Sequence, residues 1–172
     1  MIPKIKPTRV RYIKLGEGGG WEQECIAKNI IRIGFGSAQS ERFAACEAAR
    51  WDRLAASFVG NGKTKGTATR FTNELRLFFE DDGSILWITF VGERLYWGTV
   101  TRAKAKQSPD GDGVWRAMQG GWHCTDVNGE PWTVAAGLGL VHLGGQDWST
   151  VSVAGGRSGR LSGGTTGSVR AI

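Results

Sequence analysis

Glycine is the residue type that most restricts how this chain can fold. Of its 27 glycines, 15 lie at residue 111 or later, which suggests tight turns between short strands. Short, densely punctuated strands favour a small curled sheet or barrel with helices packed outside. The glycine pattern therefore argues against long regular elements in the second half of the chain.

The first hundred residues alternate between strand-like and helix-like patterns. Val10 to Leu15 and Ile30 to Phe35 predict strands, and residues 21–28 between them predict a short helix. Apolar residues at helical spacing predict helices over residues 41–58 and 67–79. Further strands are predicted over residues 85–90, 95–100, 114–118, 122–125, 132–135 and 138–143. We expect an α+β fold, a small curled β-barrel with about three flanking helices.

Length and composition fit one cytoplasmic domain. We expect a single domain over residues 1–154 and a Gly/Ser-rich tail or edge segment over residues 155–172. No apolar run approaches the ~20 residues that span a bilayer, and the N-terminus lacks the apolar region of a secretory signal. Three cysteines without a C-x-x-C pair argue against a disulfide framework and fit a reducing compartment.

Positive charge is concentrated in the first part of the chain. Residues 1–106 hold 18 Lys and Arg against 11 Asp and Glu, whereas residues 107–172 hold 4 against 5. A basic surface favours a polyanionic partner, because neutralising phosphates releases counterions. The residues predicted to contact phosphates are Lys63, Lys65, Arg70, Lys104 and Lys106. For the glycine-flanked loop at residues 60–66, an ordinary solvated loop is the alternative.

Motifs for nucleotide or metal chemistry are incomplete. Gly62-Lys63-Thr64 resembles the end of a phosphate-binding P-loop, but Ser57 stands where that motif requires glycine. The glycine turn at residues 16–20 is followed by Trp21 where a dinucleotide-binding motif has its third glycine. His123 and Cys124 are adjacent on a predicted strand and point to opposite faces, which disfavours a shared metal. We therefore expect no catalytic residues, metal site or cofactor, and a binding protein instead of an enzyme.

Eight tryptophans are the most informative residues for function. Trp51 lies on a helical stripe and fits a core, whereas the others lie on predicted strands or beside glycine turns. Indole rings stack on unpaired or flipped bases, and Arg32, Arg94 and Arg116 lie near several of them in sequence. Core packing is the alternative for each tryptophan taken alone.

The order of motifs resembles the opening of PUA-like domains in bacterial restriction-system proteins. Residues 11–19 form a strand that ends in a glycine turn, residues 21–25 a short helix, and residues 30–35 a strand ending in Ile-Gly-Phe. Residues 75–79, 86–90 and 95–100 are similar to that family's helix, central strand and following barrel strand. The resemblance covers about residues 9–100 and weakens toward residue 145. Asp82-Gly83 is only a loose substitute for the Gly-Asp step of the central strand.

This resemblance implies a fold and a ligand. The wider group, which includes EVE, YTH, ASCH and SRA-like domains, has a curled barrel and an aromatic pocket for a flipped, often modified, base. Carried onto this chain, the base pocket would be formed by Trp21, Phe35, Trp87 and Trp97. With no nuclease domain in this sequence, cleavage would come from a separate effector nuclease.

Three hypotheses follow. The leading one is a sensor of a modified or flipped base, in DNA more than in RNA, in a bacterial restriction or defence system. The second is an RNA-binding PUA-like module. The third is a phage or mobile-element protein that binds a host protein through exposed aromatic residues, since interfaces favour aromatic residues and arginine.

Overall fold

The computed structural model describes residues 6–36 and 39–125, together with the backbone of residues 141–142 and 150–151. The helices are α1 (Glu22–Lys28), α2 (Gln39–Glu47), α3 (Trp51–Gly60) and α4 (Lys65–Glu80), with a 3-10 turn at Glu17–Gly19. The strands are β1 (Arg9–Tyr12), β2 (Ile30–Ile33), β3 (Ile85–Val91), β4 (Arg94–Gly98), β5 (Lys106–Gln107), β6 (Val114–Ala117), β7 (Val141–His142) and β8 (Thr150–Val151). The predicted α+β class is confirmed.

The described residues fall into two compact units. The first unit contains those within Met1–Lys14, Gly83–Thr99 and Gln119–Ile172, and the second those within Leu15–Asp82 and Val100–Met118. Each unit holds one three-stranded sheet. The expected extent of a single domain over residues 1–154 stays a prediction, and the expected segment over residues 155–172 lies outside the described residues.

In the first unit the sheet has the order β1-β3-β4. β1 pairs in parallel with β3, and β3 pairs with β4 in an antiparallel hairpin that contains the strands predicted over residues 85–90 and 95–100. β3 is the central strand, and its Ile85, Trp87, Ile88 and Thr89 are buried. β7 and β8 form a separate antiparallel pair. β7 falls within the strand predicted over residues 138–143, whose other residues lie outside the described part of the chain.

In the second unit the sheet is antiparallel, with the order β2-β6-β5. In β6 the buried Val114 and Arg116 alternate with half-buried residues, in the manner of a strand with one covered face, whereas in β2 the neighbours Ile31 and Arg32 are both buried. β5 was not predicted, because two residues inside a basic stretch carry no strand pattern. Within the described residues these sheets are small and no closed barrel is present.

The prediction of one helix over residues 41–58 is wrong. α2 ends at Glu47 and α3 begins at Trp51, and Ala49 between them adopts a positive φ of 52°. The reason is tertiary packing: the ring of Phe79 contacts both Phe43 of α2 and Trp51 of α3, with centroid distances of 6.1 and 6.5 Å. In one straight helix Phe43 and Trp51 would be separated along the helix axis, whereas the turn between α2 and α3 brings both side chains against the ring of Phe79.

α4 is the longest helix described. Thr64 caps it, because its hydroxyl accepts a hydrogen bond from the backbone N–H of Thr67. Ala68, Leu75 and Phe78 form its buried stripe, which agrees with the stripe predicted for residues 67–79. No helix within residues 6–36 and 39–125 combines the length and apolarity needed to cross a bilayer.

We predict that Gly113→Ala destabilises the fold more than Gly111→Ala. Both glycines have a positive φ, of 78° and 75°. A Cβ at Gly113 would lie 2.3 Å from the carbonyl oxygen of Ile33, whereas a Cβ at Gly111 meets nothing within 4 Å. Urea unfolding should show a loss of about 1 kcal/mol for Gly111→Ala and about 3 kcal/mol for Gly113→Ala. Equal losses would show that the close approach is absent.

The three cysteines should differ in reactivity. Cys25 and Cys46 are buried and Cys124 is half-buried. Desolvation raises the pKa of Cys25 and of Cys46 from 9.0 to about 12, with a further contribution from Glu24 at Cys25. We expect a thiol reagent to label Cys124 first and the other two only on unfolding. The stability gained by keeping both thiols protonated is present below pH 9 and is lost as the pH rises toward 12.

Candidate nucleic-acid interface

Trp21 lies against two glycines of the second unit. A Cβ placed at Gly16 would come within 3.1 Å of Cδ2 of the indole, and one placed at Gly34 within 3.2 Å of Cη2. Gly16 also has a φ of 84°, which other residues adopt only with strain. The glycine turn that precedes α1 therefore allows an indole ring to approach the backbone closely.

Arg32 packs on that ring. Its guanidinium carbon lies 4.1 Å from the centroid of Trp21, and the residue is only 3% exposed. Nη1 donates to Glu24 at 3.2 Å, and Nη2 donates to the carboxylate of Asp110 at 2.6 Å. Nε and Nη2 both donate to the carbonyl oxygen of Asp112. A buried guanidinium needs such partners, so Arg32 fixes α1 and the turn at residues 108–113 against β2.

The carboxylates around Arg32 are held in the ionised form. Hydrogen bonding from Arg32 lowers the pKa of Asp110 from 3.8, with further help from the backbone N–H of Asp112. The pKa of Glu24 is lowered from 4.5, first by hydrogen bonding from Lys28 and then by the nearby charges of Lys28 and Arg32. These contacts stabilise the fold above the ordinary carboxyl range and are lost as the pH falls through the lowered pKa values.

Trp115 and Lys106 lie in line with Arg32 across the sheet of the second unit. Arg32 is paired with Trp115 between β2 and β6, and Trp115 is paired with Lys106 between β6 and β5. Residues directly opposite in an antiparallel sheet share a face. The Nζ of Lys106 lies 5.4 Å from the centroid of Trp115, within cation–π range. We call Trp21, Arg32, Trp115 and Lys106 the Trp–cation row; its indoles are half-buried and Lys106 is exposed.

The residues expected to form a base pocket are divided between the two units. Trp21 and Phe35 belong to the second unit, and Trp87 and Trp97 to the first. Phe35 and Trp87 are each 2% exposed. Phe35 lies near Phe79, with the ring centroids 6.5 Å apart, and Trp87 lies on the central strand β3. Both are core side chains in this structure, so their burial gives no support to a ligand-contacting role.

Trp97 is half-buried and its ring is fixed on two sides. Its backbone exchanges hydrogen bonds with His123, and the two rings lie 4.6 Å apart at an angle of 33°. The indole N–H donates to the carbonyl oxygen of Thr125 at 2.9 Å. The orientation of Trp97 is therefore fixed within the protein, and its indole N–H is already used in the hydrogen bond to Thr125.

The five residues expected to contact phosphates are exposed. Lys63 and Lys65 lie where the chain leaves α3 and enters α4, and Arg70 lies on the second turn of α4. Lys104 and Lys106 lie just before and within β5. All five belong to the second unit, and their exposure leaves their charges available to an anion.

Arg116 serves a structural purpose that the sequence did not reveal. In the sequence Arg116 is one of the arginines that lie near a tryptophan, yet Arg116 is only 3% exposed. Its guanidinium donates to the carbonyl oxygens of Phe78 and Thr101, each at 2.8 Å. Burial lowers the pKa of Arg116. Neighbouring residues on a strand face opposite ways, which is why Trp115 is half-exposed while Arg116 is buried.

The comparisons with known proteins add no relatives. No protein-family model matches the sequence, and no curated protein or solved structure matches it either. Within residues 6–36 and 39–125 no group of three or more His, Cys, Asp or Glu side chains is placed to hold a metal ion.

Replacing Arg32 should destabilise the second unit far more than replacing its neighbour Lys28. Arg32→Met removes the guanidinium donor to the Asp110 carboxylate and to the Asp112 carbonyl oxygen and removes the contact with Trp21, whereas Glu24 keeps its hydrogen bond from Lys28. We expect a loss of about 2–4 kcal/mol in urea unfolding. Lys28 forms an exposed ion pair with Glu24, so Lys28→Met should cost less than about 0.5 kcal/mol. Similar losses for both variants would contradict a central role for the buried guanidinium.

Proposed function

We propose that this protein binds nucleic acid through the Trp–cation row, with a base stacked on indole and phosphates held by the adjacent lysines. The observation that carries the proposal is the alternation of indole rings and cations across the sheet of the second unit. Aromatic faces bind bases by stacking, and lysines and arginines bind the backbone by charge. Trp21 and Lys106 were singled out from sequence for these two roles, and they belong to the same row.

The row has two chemically different ends. Glu24 and Asp110 lie beside Arg32 at one end, whereas Lys104 and Lys106 lie at the other with Arg102 nearby in sequence. Carboxylates repel phosphates but accept hydrogen bonds from the amino groups of bases, as in contacts of Asp and Glu with cytosine. We therefore assign base recognition to the end with Trp21 and phosphate binding to the end with Lys106.

A second group of cations supports phosphate binding. Lys63, Lys65 and Arg70 surround the N-terminal end of α4, whose first turn contains no acidic residue. The helix dipole adds positive potential at that end. These residues form a second basic group within the second unit.

The finer proposal is a sensor of a modified or flipped base in DNA, acting in a bacterial restriction or defence system with a separate effector nuclease. The order of motifs that resembles PUA-like domains supports it, and the curled barrel of that family is part of the same proposal. Arg32 already covers one face of Trp21, which leaves at most the other face of that ring for a base. The proposal involves binding in the cytoplasm and no covalent chemistry.

Fluorescence titration with short DNA duplexes tests this function. The duplexes carry cytosine, 5-methylcytosine or 5-hydroxymethylcytosine at one central position, and each is titrated at about 50 and 200 mM salt. We expect tighter binding to one modified duplex and weaker binding at the higher salt concentration. Affinity indifferent to both salt and modification would overturn the proposal, and displacement by RNA but not by an excess of DNA would favour the RNA-binding alternative.

Variants of the row should separate stacking from charge. Trp115→Leu should weaken binding by roughly 5- to 50-fold, because it removes a stacking face. Lys106→Gln should weaken binding to all duplexes alike and lower the dependence of log K on log salt by about one. Arg53→Gln is the control, since Arg53 is an exposed cation on α3 outside the row. An equal effect of Arg53→Gln would point to diffuse charge instead of the row.

A further inference from the structure

Three arginines of the first unit lie on the same face of its sheet. Arg9 and Arg11 are two residues apart on β1, so they share a face, and Arg11 is paired with Trp87 of β3. Arg94 of β4 is paired with Val91, which lies on that same face four residues beyond Trp87. Arg9 and Arg94 are exposed, and Arg11 is half-buried. We call the side of the sheet that carries these three arginines the arginine face.

The charges of Arg9 and Arg11 are not neutralised within the described part of the first unit. Neither side chain forms an ion pair or a hydrogen bond with another described residue. Glu93 is the one acidic residue among the described residues of this unit. It lies in the turn between β3 and β4, about 20 Å along the strands from the level of Arg9.

Two buried polar atoms on the arginine face have no hydrogen-bond partner among the described residues. One is Nε of Arg11, and the other is Oγ1 of Thr89, a residue that is 1% exposed. Thr89 follows Trp87 by two residues on β3, so it is a diagonal neighbour of Arg11 on this face. Diagonal neighbours lie about 7–8 Å apart, a distance that a long side chain can span. Because buried polar groups in native proteins nearly always have a partner, these two groups point to an acceptor that the described residues do not supply.

We propose that Arg9, Arg11 and Thr89 form a binding site for a terminal phosphate, either free phosphate or a phosphate monoester. The Nε–H of Arg11 and the hydroxyl of Thr89 are both donors, so a single oxyanion satisfies both. Guanidinium groups match phosphate oxygens in geometry as well as in charge. The exposed Arg9 adds a second positive charge on the solvent side of Arg11.

The burial of the two donors selects a terminal phosphate over the backbone of a nucleic acid. A phosphodiester within a strand is attached to sugars on both sides, whereas a terminal phosphate presents three oxygens at one end. The terminal group also carries about −1.5 to −2 charge at pH 7, against about −1 for a diester. The site lies in the first unit and does not depend on the function proposed for the Trp–cation row.

Isothermal titration calorimetry with inorganic phosphate, uridine 5′-monophosphate and uridine tests this site. All three ligands are titrated at about 150 mM salt, where charges more than about 8 Å apart are largely screened. We expect saturable binding of both phosphate ligands, and binding of uridine at least about 10-fold weaker than that of its monophosphate. Tighter binding of one phosphate ligand identifies the free or the ester-linked anion as the preferred one, and either result supports the proposal.

Variants locate the binding on the arginine face. Arg11→Met and Thr89→Val should each weaken the binding of both phosphate ligands about 10-fold or more. Arg94→Met is the matched control, because it removes the same charge from the same face about 13 Å along the strands from Arg11. It should change the affinity less than about 2-fold. Trp115→Leu, a change in the row, should leave the binding of inorganic phosphate unchanged.

Thermal unfolding gives a second readout for Thr89→Val. In phosphate-free buffer this variant should be at least as stable as the wild type, because it removes a buried hydroxyl that has no partner. Added phosphate should raise the Tm of the wild type and have little effect on that of the variant. Should circular dichroism show that Arg11→Met is unfolded, Arg9→Met replaces it, with an expected loss of affinity of about 3- to 10-fold.

The proposal is overturned by any of three results. One is that the wild-type protein does not bind inorganic phosphate and binds uridine 5′-monophosphate no better than uridine. Another is that folded Thr89→Val and Arg9→Met proteins bind the phosphate ligands as tightly as the wild type does. The third is that Arg94→Met loses as much affinity as Arg11→Met, which would show that the general positive charge of the unit attracts the anion.

Discussion

The described part of the second unit depends on one buried cation. Arg32 lies in β2 with almost no exposed surface, and removing a guanidinium from water carries a free-energy cost of several kcal/mol. That cost is offset only where acceptors converge on it, and here they come from α1, through Glu24, and from the turn at residues 108–113, through Asp110 and Asp112. The same guanidinium positions Trp21 by stacking on its ring. One side chain thus joins a helix, a strand, a turn and an indole.

Sequence patterns predict the helices and strands of this fold better than they predict where a helix is interrupted. The β-branched and aromatic run of β3 and the buried stripe of α4 are local signals, and both elements lie close to the predicted bounds. The turn at Ala49 has no local signal, because alanine favours helix and no glycine or proline interrupts the pattern. What breaks the helix is the packing of two rings on Phe79, a contact some 30 residues distant in sequence. β5 is not predictable from sequence for a similar reason, because only its pairing with β6 makes these two residues a strand.

Residue type alone does not separate a stacking ring from a core ring. Trp87 and Trp115 both follow an apolar residue on a strand, yet the first is buried on a central strand and the second is half-exposed. Which face a strand residue takes is set by register and by what covers the sheet, and neither is contained in composition. Trp21 and Lys106 were identified individually from sequence. Their connection through Arg32 and Trp115 required the pairing of three strands that lie up to about 80 residues apart in the chain.

The pairing of Arg9 with Ile85 has a consequence for how the protein is made. During translation, at about 5–20 residues per second, β1 leaves the ribosome long before the strand that completes its ladder. In the second unit β2 likewise has no pairing partner until β6 is synthesised, some 80 residues later. A nascent chain must therefore hold two unfinished sheet edges in a basic, aromatic-rich segment until synthesis has passed β6. During this interval the unpaired strands are exposed to ribosomal RNA and chaperones. The yield of native protein should therefore respond to the rate of elongation.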